Sequence, residues 1–235
     1  HRANSRVKQN PSESIEHIHH LHMSGDTEGL AAALSEEGHA LVKAGHIELL
    51  GILRVLEASM FGPRTRFVIH ELTGDILSIQ GRWDDAEEQY DLALPIAARH
   101  KLTTPLARIY SSRADLAVKK GEMDNALSLH KKALEMQIKL RDAQGAARSY
   151  NNMGYIFRRQ RDNKRAIEVY GNVEELLESE DSPDLTEARI RLASAFLEMG
   201  EMDRARDHAM KAHDETAENN QEKLHARSRA VLGRY

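Results

Sequence analysis

Four histidines crowd a short stretch of the sequence: His17, His19, His20 and His22. His17 and His20 lie three residues apart, as do His19 and His22, and Glu16 precedes His20 by four. On a helix, such spacings offer two side chains to one ion. These pairs point in different directions and bring no third or fourth ligand, so no metal site is expected. A second group is better aligned. Arg148, Asn152, Tyr155 and Arg159 fall at i, i+4, i+7 and i+11, along one face of a helix. Guanidinium forks match carboxylates, the amide can pair with an extended backbone, and the tyrosine offers an aromatic platform. That is recognition chemistry. Bond-making chemistry has no comparable signal: the sequence holds no GxxxxGK[ST] phosphate loop, no GxGxxG, GxSxG, HExxH or EF-hand pattern, and no cysteine. Its carboxylates alternate with Arg and Lys, the pattern of a solvated helix surface. No catalytic residue and no cofactor are expected.

The elements carrying these residues should be helices. The chain has 235 residues, 40% hydrophobic, 5% aromatic and 30% charged, with only 5 prolines. β-Branched runs are nearly absent. This balance suits helices with many small contacts rather than one large aromatic core. The net charge of -4, with both signs interleaved, gives no reason to expect a nucleic acid partner. No apolar stretch approaches the roughly 20 residues that span a bilayer, so no membrane partner and a cytoplasmic location are expected. The first residue is His1 rather than methionine, which suggests a piece of a larger protein.

Four segments share one pattern: a small residue, a turn residue seven later, and an alanine five beyond that. They read Gly74, Gly81, Ala86, Tyr90, Ala93; then Ala114, Gly121, Ala126, His130, Ala133; then Gly154, Arg161, Ala166, Tyr170, Val173; then Ala193, Gly200, Ala205, Ala209, Ala212. The key alanines stand at 86, 126, 166 and 205, so the spacings are 40, 40 and 39. The small residue and the alanine fit where two helices approach closely, and the glycine supplies a left-handed helix end. Trp83, Met123, Asn163 and Met202 follow the turns. The register places Gly233 at the small position of a fifth, incomplete repeat.

This pattern resembles the tetratricopeptide repeat over roughly residues 64 to 235, with a period of 40 in place of the usual 34 or so. The added residues amount to nearly one turn per helix. Repeats of this length occur in Pins-type spindle-orientation scaffolds and in bacterial and archaeal signalling ATPases. The resemblance implies an all-α, right-handed superhelical α-solenoid of antiparallel hairpins, with about twelve or thirteen helices. It also implies that the first helix of each hairpin lines a concave, peptide-binding surface. Counting from Ala107 and Ala147, the inward residues are Arg108, Ser111, Ser112, Asp115 and Lys119, then Arg148, Asn151, Asn152, Tyr155, Arg158 and Arg159. The chaperone-binding members of the family clamp a C-terminal carboxylate with five residues. Here Asn152 and Arg191 match that clamp, while Ser111, Asp115 and Glu187 depart from it. A chaperone tail is therefore not the expected ligand.

Upstream, Gly38, Leu41, Gly45 and Leu50 fit a degenerate hairpin, and Gly25–Asp26 breaks two helices, with Asp26 as the cap of the second. The string HHLHMSGDTEGLAAAL, followed by GHALVKAG and ELLGIL, resembles the stretch that leads into the helical sensor of STAND-type ATPases of the maltose-activator class. In that resemblance the histidines pack a helix and this chain is the sensor arm. The expected organisation is 1–62 as degenerate N-terminal hairpins and 63–235 as four repeats plus a terminal helix. The expected function is a non-enzymatic protein-interaction or ligand-sensing module of a larger signalling protein. The alternatives are a free-standing scaffold for an acidic linear peptide and a small-molecule-binding regulator. An open terminal helix with Leu232 exposed also allows a homodimer.

Overall fold

The computed structural model describes residues 10–178, 182–218 and 222–233. Every regular element among them is helical. In chain order they are α1 (Pro11–Ser24), α2 (Thr27–Ala33), a π-helical stretch π1 (Leu34–Gly38), α3 (His39–Ala44), α4 (Leu49–Glu57), α5 (Pro63–Ile79), α6 (Trp83–Arg99) and α7 (Thr103–Lys120). There follow α8 (Met123–Leu140), α9 (Ala143–Arg159), α10 (Asn163–Leu177), α11 (Pro183–Glu198), α12 (Met202–Glu218) and α13 (Glu222–Leu232). The described residues form two compact units, divided between Leu116 and Ala117.

In the first unit, α5 packs against α6 as the first full hairpin, and α2, π1 and α3 run on from one another across α5. The helix ends follow from local chemistry. Gly25 adopts φ 74° behind α1, and the Asp26 carboxylate accepts the Gly29 N–H at 2.8 Å to start α2. Pro63 occupies the first turn of α5, where no N–H is needed. Gly38 lies where a β-carbon would stand 2.7 Å from Leu72 Cδ1 of α5, so a larger residue there would require the leucine to shift. Large aliphatics dominate this core: Ile18, Leu30, Leu34, Leu41, Leu53, Leu72 and Ile76 are buried together with Phe67. The helices before Pro63 thus share one core with the first repeat.

The second unit is built on smaller residues. α9 packs on α10, α11 on α12, and α13 on α12 and α11. Ala126, Ala166 and Ala205 are fully buried, as expected of the alanine in each second helix. The small residue of the first helix has a more specific job than backbone approach. A β-carbon on Gly154 would lie 2.3 Å from the Tyr170 ring, and in the first unit one on Gly74 would lie 2.5 Å from the Tyr90 ring. The glycine makes room for a buried tyrosine across the hairpin. Turns conform where glycine is present, with φ of 78° to 82° at Gly81, Gly121 and Gly200. The third repeat places Arg161 in the same left-handed region, at φ 61°. The terminal helix is not left open on its inner side. Val231 is buried with Ile190, Ala193, Ala209 and Ala212, with Leu224 and Leu232 packed partly against them. His225 stacks on His213 of α12 at 4.4 Å between ring centroids.

Candidate functional site

The residues expected to form a binding face sit on the first helices of the hairpins, and each unit treats them differently. In the second unit α9 carries most of them, because its other face must supply Ala147, Met153, Gly154, Ile156 and Phe157 to the core. Arg148, Tyr155 and Arg159 are exposed, and Asn152 is half-buried. Arg148 and Arg159 have no ion-pair partner among the described residues. At 1.5 Å of rise per residue they stand about 16 Å apart, with Tyr155 between them. Tyr155 is 38% exposed, and the Arg191 guanidinium of α11 lies 5.6 Å from its ring centroid. This cation–π contact fixes the platform.

Other members of the group are spent inside the fold. Asn151 is buried, and its amide donates to the Asp184 carbonyl at 2.9 Å. Arg191 donates to Glu187 at 2.6 Å and to the Asn151 carbonyl at 3.1 Å. Arg158 pairs with Glu198, and Arg227 of α13 with Glu187. Burial pushes the Glu187 carboxyl up, but Arg191 and Arg227 more than offset this and hold it below its ordinary value. These contacts tie α9, α11 and α13 to one another. The sequence offered no way to tell a guanidinium that faces a ligand from one that faces the next repeat.

In the first unit Arg108 is likewise committed. Its Nε and Nη2 donate to the two oxygens of Glu71 at 2.9 and 2.7 Å. Glu71 is 1% exposed and also lies 3.0 Å from Nε2 of His39. Burial raises the Glu71 carboxyl, yet the His39 and Arg108 bonds bring it below its usual range. One turn along α5, Asp75 accepts the Tyr90 hydroxyl at 2.7 Å and is also bonded by Ser112. Burial and the neighbouring Glu71 charge push Asp75 up to about 6. This network was not expected from sequence. Its signal was present, as two carboxylates four apart within the otherwise apolar FVIHELTGDIL stretch. Lys119 is exposed near the end of α7. Of the histidines, His17 bonds Glu37 at 2.9 Å and His22 stacks edge-on against Phe61, while His19 and His20 are exposed. No cluster of three His, Asp or Glu side chains suited to a metal occurs among the described residues.

Residues 105–179 match the family model described as the tetratricopeptide repeat. No curated protein matches the sequence. Among solved structures, BtubC (BKLC) from P. vanneervenii is 24% identical, with 92% of each chain covered and a TM-score of 0.72. The Signal Transduction ATPase with Numerous Domains (STAND) protein with a tetratricopeptide repeat sensor from Pyrococcus horikoshii is 15% identical, with a TM-score of 0.79. That match covers 96% of this chain and 34% of the archaeal one. Aspartyl phosphate phosphatase F from Bacillus subtilis is 13% identical over 90% of this chain and 58% of its own, with a TM-score of 0.74. The fold is that of tetratricopeptide-like helical repeat proteins. Among the described residues no helix is long and apolar enough to cross a membrane.

Proposed function

We propose that the chain is a non-enzymatic interaction module of the cytoplasm whose α9 face receives an acidic protein segment. One observation carries this reading. Arg148 and Arg159 flank an exposed tyrosine and have no acidic partner among the described residues, whereas Arg158, Arg189, Arg191 and Arg227 of the same unit are all paired. Two unpaired forks about 16 Å apart suit carboxylates roughly five residues apart in an extended segment. Exposed guanidinium groups without a counter-charge cost little in water and are ready for bidentate pairing.

Capture from native lysate with the wild-type chain and with Arg148→Glu/Arg159→Glu tests this. Lys131→Glu/Lys139→Glu on α8 serves as a charge-matched control. The expected outcome is a partner retained by wild type and control and lost by the α9 variant. Equal recovery by all three overturns the assignment. The alignment of nearly the whole chain with a STAND tetratricopeptide sensor region supports a further reading, that the module regulates a larger signalling ATPase. A phosphate loop encoded upstream of His1 in the same reading frame is the check. A second copy of the chain, pairing through the outer side of α13, is the rival partner. Light scattering at two concentrations separates it from a heterologous ligand.

A further inference from the structure

The first unit holds a cleft of roughly 760 Å3 between the α2–π1 stretch and the first turns of α5 and α7. Its walls carry opposite charge. Glu28 and Glu36 line one side, and Arg64, Thr65, Thr104 and Arg108 the other, with alanines and a valine between. Glu28, Glu36 and Arg64 make no ion pair among the described residues.

The basic wall is also rich in unused donors. The first helical bonds of α5 and α7 run from Arg66 to the Gly62 carbonyl and from Leu106 to the Leu102 carbonyl. The N–H groups of Arg64, Thr65 and Thr104 therefore precede the first available helical acceptor. Two helix N-termini bring partial positive charge to the same side. Thr65 adds an independent sign of a ligand: it lines the cleft, is only 5% exposed, and its hydroxyl has no partner among the described residues. That hydroxyl opens on the cleft and is free to donate to an incoming acceptor. Arg108 is held at the wall by its two bonds to Glu71, so its orientation is set before anything binds.

We propose that this cleft binds a small dipolar molecule, its anionic group at the first turns of α5 and α7 and its cationic group between Glu28 and Glu36. A free amino acid and a short peptide with both ends charged share that chemistry, and the volume admits either. The assignment is independent of the α9 face.

Thermal unfolding of the full chain is measured with each of the twenty free amino acids and with unblocked di- and tripeptides. N-acetylated amino acid amides, sodium phosphate and ethylammonium chloride form the comparison set. At tenfold excess over its dissociation constant, a bound zwitterion is expected to raise Tm by about 3–5 °C. Response to amino acids or only to peptides identifies the source. Arg64→Gln and Glu28→Gln/Glu36→Gln are each expected to abolish the shift while leaving the unliganded Tm unchanged, since all three side chains are exposed. Three results overturn the proposal: no zwitterion shifts the wild type, the shift survives in either variant, or phosphate or ethylammonium alone reproduces it.

Discussion

Tyr90 and Tyr170 set a size limit on the helices that face them. Because the Tyr170 ring is fully buried, a methyl group at Gly154 has no flexible neighbour to displace. Gly154→Ala is expected to lower stability by about 1–3 kcal/mol in urea titration, despite alanine's better helix propensity. In a Tyr170→Ala background the same substitution should cost nothing, and an unchanged cost there refutes the steric account. Asp75 presents the opposite case, a group whose charge the fold opposes. Its folded value of about 6 lies above the unfolded carboxylate value of about 4, so its contribution to stability falls as pH rises between them. Asp75→Asn should therefore stabilise the chain by roughly 1–3 kcal/mol at pH 7.5 and leave it unchanged at pH 4. Urea titrations at both pH values check this; an equal gain at each pH means that charge burial is not the cause. Glu71, held low by His39 and Arg108, runs the other way, and its contribution is lost as pH falls through its folded value.

At the level of elements, the four hairpins differ in how they close their turns. Arg161 holds a left-handed conformation where its counterparts are glycines, and Asp162 beside it caps α10 by accepting the Arg165 N–H at 3.0 Å. Arg161→Gly removes the β-carbon penalty and is expected to stabilise the second unit by about 0.5–1 kcal/mol. A drop in urea midpoint would show that the arginine side chain contributes more than its backbone costs. Between elements, the Arg108–Glu71 contact joins α7 to α5 within the first unit. Arg108→Ala leaves a carboxylate buried on one histidine, so a loss of roughly 3–5 kcal/mol is expected. Arg82→Ala breaks only an exposed pair with Asp85 and should change stability by less than about 1 kcal/mol. Similar losses for the two would remove the case for a buried network.

For the whole molecule, helix identity, the forty-residue spacing and the alanine positions were legible in the sequence because they are local and periodic. The Gly25–Asp26 break and the glycine turns could be read for the same reason. The partners of Arg108, Arg158 and Arg227 could not, since each lies on a different helix and exposed and bridging arginines leave the same pattern. The π stretch across Leu34–Gly38 also gave no signal beyond an uncapped run of helix formers. Stability in repeat arrays passes between neighbours, so the last helix matters more than its length suggests. Ending the chain at Glu218 uncovers Ile190, Ala193, Ala209 and Ala212. Hydrogen exchange should then show α12 losing protection first, with α5 and α6 unchanged; uniform loss along the chain would refute repeat-by-repeat stability.

The ties from Arg158 to Glu198, Asn151 to Arg191 and Glu187 to Arg227 each join residues 40 positions apart. That interval is a rule of inheritance. A gene duplication that copies whole forty-residue units hands every new first helix a correctly placed counterpart, so the array can lengthen without redesign. A unit of the commoner shorter period, spliced in from elsewhere, would set each cation several residues away from its acceptor.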